Sequence, residues 1–87
     1  MYFPDYPVKP LQYGASGPQV QTMQAAMNVI LAKYPTHEVL VEDGYFGNET
    51  DIAVRRFQQH VGLEQDGVVG AYTWISIFAL ANVIYES

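Results

Sequence analysis

The chain contains no cysteine. Disulfides, thiol nucleophiles and cysteine zinc sites are therefore excluded. Cations are scarce too: four Lys and Arg stand against nine Asp and Glu, for a formal net charge of −5. So few scattered basic residues make no footprint for a nucleic acid, which is held largely through its phosphates. The same balance disfavours anionic membranes and anionic wall polymers as electrostatic partners. No apolar run reaches the about 18 residues that span a bilayer. The stretch from Trp74 to Tyr85 is shorter and carries Ser76 and Asn82. No basic segment followed by an apolar core opens the chain, so no secretory signal is expected. There are two histidines, His37 and His60. A catalytic zinc site wants three protein ligands and an open position, and His60 occupies an ordinary place for a histidine near a helix C-terminus. Ser16 and Ser76 have no neighbouring histidine for a triad. No catalytic residue, metal site or cofactor is expected.

What the chain does have is apolar content. Of 87 residues, 49% are hydrophobic and 14% aromatic, enough for one globular domain around a single core. One pattern occurs twice. Asp43-Gly44-x-Phe46-Gly47-x-x-Thr50 returns as Asp66-Gly67-x-Val69-Gly70-x-x-Thr73. Asp-Gly favours a tight turn, because glycine takes positive φ freely and aspartate bonds its own backbone. The apolar residue two places on can turn inward and pin the loop. The threonine then falls in a first helical turn, where backbone N–H groups need acceptors. Asp43 and Asp66 read as turn residues. An acid pair for catalysis or a calcium loop fits less well, since each precedes glycine directly and the alternating acidic ligands are absent.

Around these corners the periodicity predicts three helices. The first runs from about Gly17 to Tyr34, with Ser16 and Gln19 as a capping box and Val20, Met23, Met27, Ile30, Leu31 and Tyr34 as its buried stripe. Pro35 stops it. The second starts after an Asn48 cap and buries Ala53, Val54, Phe57 and Val61. Gly62 ends it, with Leu63 folding back as in a Schellman motif. The third spans about 71–85, with a core of Trp74, Ile77, Phe78, Ala81 and Ile84; Ile75, Leu80 and Tyr85 widen its apolar face. The Val39-Leu40-Val41 alternation allows a minimal hairpin near 39–46 across Asp43-Gly44. Residues 1–10, rich in proline and aromatics, read as an extended arm whose Tyr2, Phe3 and Tyr6 either pack back on the bundle or form a contact surface. The fold class is thus all-α, a three-helix bundle over residues 11–87 preceded by the arm.

Ligand contacts are expected at the corners, where loops are held by rigid helices and helix N-termini present N–H donors. The candidates are Tyr13, Tyr45, Asn48, Thr50, Tyr72 and Thr73.

The combined spacing resembles the peptidoglycan-binding type 1 domain of bacterial and phage cell-wall hydrolases. Leu11, Gly14, Gly17, Val20, Met23-Gln24 and Met27 follow that family's first helix. Asp43-Gly44, Phe46-Gly47, Thr50, Ala53-Val54 and Phe57-Gln58 follow its first corner and second helix. Gly62-Leu63, Asp66-Gly67, Gly70 and Thr73-Trp74 follow its close. The sequence departs from the pattern in having Met at 23 and 27, a longer connector from Tyr34 to Asp43, and extensions at both ends. The resemblance implies a non-catalytic module that binds peptidoglycan through its stem peptides at the cell wall or envelope and targets a hydrolase there. The alternative is a protein-interaction or assembly module on the same fold, such as a phage or envelope structural component. In that case the arm and the third helix would form a homo-oligomer interface.

Overall fold

The computed structural model describes residues 4–7, 9–34 and 38–86. Tyr2 and Phe3 of the expected arm, and Pro35, Thr36 and His37 of the connector, lie outside them. Three helices carry the fold: α1 is Pro18–Leu31, α2 is Asn48–Val61 and α3 is Ala71–Glu86. Their apolar stripes close on one core. Val20, Met23, Met27, Ile30 and Leu31 from α1 are buried with Ala53, Val54 and Phe57 from α2 and Trp74, Ile77, Phe78 and Ala81 from α3. Phe46 and Val69, the apolar residues two places after each turn glycine, are fully buried and pin both corners. The main helix pair is α1 against α3. The corners, more than direct packing, position α2 beside α1.

The helix ends are set by the loops. Gly17 occupies the cap position of α1 without a side-chain cap bond, so the expected Ser16–Gln19 box does not form. The reason is that Ser16 pairs its backbone with Tyr45 across the first corner. At the other end, Lys33 N–H donates to the Ile30 carbonyl and Tyr34 N–H to that of Leu31. This turn ends α1 three residues before the predicted Tyr34. Likewise Gly47, not Asn48, stands at the cap position of α2. Gly62 terminates α2 in the left-handed region at φ 79°, and Leu63 N–H reaches back 2.8 Å to the Gln58 carbonyl, the expected Schellman closure. That closure leaves Val61 exposed, where burial was predicted.

The predicted hairpin is absent: among the described residues there are no strands, only two isolated bridges, Leu11 with Val69 and Ser16 with Tyr45. Side chains of α1 take the backbone groups a hairpin would need. Asn28 Oδ1 accepts from Leu40 N–H at 2.7 Å while its Nδ2 donates to the Leu40 carbonyl. Gln21 Nε2 donates to the Glu42 carbonyl. Val39 and Val41 are consequently exposed.

Segment 11–17 is the staple of the fold. Leu11 exchanges backbone hydrogen bonds with Val69 at the second corner; Gly14 donates to the Phe46 carbonyl and Gly17 to the Gly44 carbonyl at the first. Pro4 and Tyr6 lie against α3: Trp74 Nε1–H donates to the Pro4 carbonyl at 3.1 Å, and the Tyr6 ring meets Trp74 edge-on.

Candidate functional site

Each corner is built around one buried glutamine. At the first, Gln24 of α1 is 1% exposed. Its Oε1 accepts from Gly44 N–H at 2.9 Å. Its Nε2 faces the Tyr45 carbonyl at 2.9 Å, Thr50 Oγ1 at 3.1 Å and Asp43 Oδ1 at 3.2 Å. At the second corner Gln58 of α2 repeats the set. Its Oε1 accepts from Gly67 N–H, and its Nε2 faces the Val68 carbonyl, Thr73 Oγ1 and Asp66 Oδ1, all between 3.0 and 3.2 Å. Asp43 and Asp66 also accept, each at 2.9 Å, from the N–H two residues on. These are the self-bonded turns that Asp-Gly favours. The repeat unit is therefore longer than Asp-Gly-x-Φ-Gly-x-x-Thr: it begins with the Φ-Gln pairs Met23-Gln24 and Phe57-Gln58 in the preceding helix.

This frame sorts the candidate residues. Thr50 and Thr73 are 4% and 6% exposed, with hydroxyls engaged by Gln24 and Gln58; both hold the loops from inside. Tyr13, Tyr45 and Tyr72 are 63%, 49% and 80% exposed, and Asn48 is exposed as well. The Tyr45 ring is held over Gly47, where an added Cβ would meet it at 3.0 Å. Tyr13 stands in the staple, between its bonds to the first corner and its bridge to the second. The staple thus ties the loop bearing Tyr13 to the loops preceding Asn48 and Tyr72. Gln24 and Gln58 were named only as positions of the family pattern, with no role expected of them. Their signal lay in the sequence, as a glutamine directly after a buried apolar residue ahead of each Asp-Gly.

Hydrogen bonds from Tyr45 N–H and from the Gln24 amide hold the Asp43 carboxyl below its ordinary value of 3.8. A depressed carboxylate contributes stability that is present above its unfolded value and is lost as pH falls through the folded one. Asp43→Asn keeps an acceptor for Tyr45 N–H and removes the titration. The unfolding temperatures of wild type and Asp43→Asn are therefore expected to differ at neutral pH and to converge as acidification protonates Asp43, below the ordinary carboxylate range. A gap that stays constant down the series would show that the Asp43 charge is not coupled to folding.

A second surface feature lies between α1 and α2. Met27, Ile30, Leu31, Tyr34, Ala53, Arg56, Phe57, Gln59 and His60 line a depression of about 570 Å³. Beside it a smaller one, of about 340 Å³, is lined by Leu31, Glu38, Val39, Leu40, Glu49, Ile52, Ala53 and Arg56. Among the described residues no cluster of three or more His, Asp or Glu could hold a metal ion, and no helix is long and apolar enough to cross a membrane.

Residues 16–77 match the family described as "Putative peptidoglycan binding domain". The zinc D-Ala-D-Ala carboxypeptidase of Streptomyces albus G is 41% identical over 73 residues, which are 83% of this chain and 27% of that protein. A probable N-acetylmuramoyl-L-alanine amidase of Bacillus licheniformis is 38% identical over 76 residues, 86% of this chain and 21% of that one. The chain thus spans about a quarter of the length of these curated relatives. Among solved structures, the SleB N-terminal domain superposes with a TM-score of 0.73 at 32% identity, covering 88% of this chain and 99% of that one.

Proposed function

The chain belongs to the peptidoglycan-binding domain family, and from that premise we propose that it is a non-catalytic targeting module. It meets the stem peptides of the wall polymer with its corner surface and concentrates a hydrolase on that polymer. The observation that carries this reading is the span of the family match, which takes in both glutamine-locked corners. The relatives support it: named as a carboxypeptidase and an amidase, they are about four to five times as long as the matched segment, which is 27% of one and 21% of the other. A weak module on an insoluble repeating polymer gains by re-engagement, because each site released leaves others within reach. The work would be done at the cell wall or envelope.

The contact residues in this reading are Tyr13, Tyr45, Asn48 and Tyr72, with Thr50 and Thr73 fixing the loops that present them. Sedimentation with purified sacculi, competed by soluble muropeptides, tests it. Tyr45→Ala and Asn48→Ala are each expected to weaken binding by about 1–2 kcal/mol, or roughly 5–30-fold, as truncations of a contact residue. Their unfolding temperatures should stay near wild type, as for other exposed positions. Full binding by both variants would move the site away from the corners.

One observation favours a second reading. From Ala71 to Tyr85 the sequence of α3 carries no charge, and the helix exposes Tyr72, Ile75, Val83 and Tyr85. An uncharged apolar face on an acidic chain suits a protein partner, either an adjoining domain or a second copy. Sedimentation equilibrium separates the two: a mass that rises with concentration supports assembly through α3.

A further inference from the structure

We propose that the two corners are the protein's sites of covalent ageing, where Asp43–Gly44 and Asp66–Gly67 rearrange to isoaspartate, and that Gln24 and Gln58 hold this chemistry back, the second corner failing first. The proposal is independent of what the corner surface binds.

The reaction is a ring closure on the main chain. The nitrogen of the following residue gives up its proton and attacks the aspartate Cγ. The N–Cγ bond forms, the Cγ–OH bond of the protonated carboxyl breaks, and that hydroxyl leaves with the amide proton as water. The succinimide then takes water back at either carbonyl. Addition at Cγ restores aspartate; addition at the backbone carbon leaves the chain running through Cγ, as isoaspartate. Glycine favours the attack because no Cβ hinders the nitrogen. Elsewhere in the chain the following residue is bulkier: Asp5 precedes Tyr6, Asp51 precedes Ile52, Asn28 and Asn82 precede Val29 and Val83, and Asn48 precedes Glu49. The bonds most open to closure are thus the two Asp-Gly pairs, and each lies under a buried glutamine.

Each glutamine restrains both reactants. Gly44 and Gly67 are buried, and the N–H that must be lost donates to Gln24 Oε1 at 2.9 Å or to Gln58 Oε1 at 3.1 Å. A proton held by a buried amide oxygen is shielded from the base that would remove it. The electrophile is held by the other end of the same side chain: Asp43 Oδ1 accepts from Gln24 Nε2 and Tyr45 N–H, Asp66 Oδ1 from Gln58 Nε2 and Val68 N–H. Closure therefore waits for a local opening that breaks these bonds. The product cannot restore them. An extra methylene in the main chain shifts the glycine N–H away from the glutamine, and the carboxylate leaves the turn, so each event removes one corner for good.

The corners differ in what else must open. At the first, Gly17 N–H donates directly to the Gly44 carbonyl at 2.8 Å. At the second, the staple bonds fall beyond the turn, on Val69, and Gly67 is flanked by the ends of the Asp51 and Arg55 side chains. The bonds from Tyr45 N–H and Gln24 also keep the Asp43 carboxyl below its ordinary value, so less of it is in the acid form that can lose hydroxide.

The test ages the whole chain in mildly acidic buffer, folded and in urea. Trypsin, cutting after Lys33, Arg55 and Arg56, puts Asp43 and Asp66 on separate peptides. Electron-transfer fragmentation then reads isoaspartate from the backbone Cα–Cβ bond that only the rearranged residue has. In urea the two bonds should rearrange at similar rates. In the folded protein both should be slowed at least tenfold, as for a reaction that needs an opening costing several hydrogen bonds. Asp66 should then outpace Asp43 by roughly fivefold, the worth of one further hydrogen bond. The slowing at each site should follow the hydrogen-exchange protection of the Gly44 or Gly67 amide, since both processes need that N–H freed. Gln58→Ala should speed Asp66 and spare Asp43, and Gln24→Ala the reverse. A variant that unfolds outright gives both sites the urea rate, and the wild-type comparison then decides by itself. Folded rates equal to those in urea, slowing without protection of the glycine amides, or Asp43 level with or ahead of Asp66 would each overturn the proposal.

Discussion

Gln24→Ala should destabilise the fold by about 3–5 kcal/mol, and Gln58→Ala by a similar amount. The figure follows from what each truncation strands. Without Gln24, the buried Gly44 N–H loses its acceptor, and Thr50 Oγ1 and the Tyr45 carbonyl lose their donor. Each buried polar group left unpaired costs about 1–3 kcal/mol, and Thr50 is too enclosed for solvent to serve it cheaply. The side chain itself is only 1% exposed, so its stem leaves a void as well. Gln24→Glu is the sharper variant. It preserves shape and can still accept from Gly44 N–H. Ionised, however, it donates nothing, and it sets a second carboxylate where Gln24 Nε2 now lies 3.2 Å from Asp43 Oδ1. Like charges so close raise the pKa of the pair, so Gln24→Glu should be at least as damaging as alanine near neutral pH and should recover as the solution is acidified. Urea denaturation of the three variants measures all of this. Losses below about 1 kcal/mol for both alanine variants would mean that water replaces the amide and that the corners do not depend on it.

The same glutamines mark the limit of what the sequence disclosed. The apolar stripes were legible because their spacing is a property of one helix at a time: Val20, Met23 and Met27 needed no knowledge of their partners. The Asp-Gly turns, the inward Phe46 and Val69, and the Gly62 termination were local in the same sense. Gln24 was not, because it works on a loop 19 residues further along the chain and looks in isolation like an ordinary helix-compatible polar residue. The Val39-Leu40-Val41 alternation misled for a related reason. Its backbone groups had an alternative partner in the Asn28 amide of α1, and such side-chain-to-backbone bonds compete directly with a strand ladder. At the site, exposure of Tyr13, Tyr45 and Tyr72 was a fair expectation for tyrosines beside turns. That one staple, residues 11–17, ties the first loop to both corners depends on backbone pairings that no periodicity encodes. Arg56 was visible only as a charge on the outer face of a helix; its place at the join of two depressions comes from the way α1 and α2 stand apart.

The two turn glycines look interchangeable in sequence and in dihedral angle, with φ of 76° at Gly44 and 72° at Gly67, yet alanine should cost more at the first. The left-handed region alone costs an L-residue about 1–2 kcal/mol, and both sites incur it. What differs is the neighbour. At Gly67 an added Cβ would fall 2.5 Å from Asp51 Oδ1 and 2.9 Å from Arg55 Nε and Nη2. Those atoms are the ends of flexible side chains in a surface i,i+4 ion pair. They can swing away at the cost of a surface pair worth about 0.3–0.5 kcal/mol and of some loosening of the exposed Arg55 bond to the Gln65 carbonyl. At Gly44 the nearest atom is further off, at 3.1 Å, but it is the backbone carbonyl oxygen of Gly17. That carbonyl accepts from Gln21 N–H in the first turn of α1, and the same residue's N–H donates to Gly44 O. Moving it loosens the helix start and the staple together, and it drags Gly44 N–H away from Gln24. Gly44→Ala is therefore expected to lose about 2–4 kcal/mol and Gly67→Ala about 1.5–2.5 kcal/mol, the difference being the cost of shifting a bonded backbone rather than the ends of exposed, flexible side chains. Thermal unfolding of the two variants decides it. Equal losses, or a larger one at Gly67, would show that the shorter contact governs and that the first corner is softer than its hydrogen bonds imply.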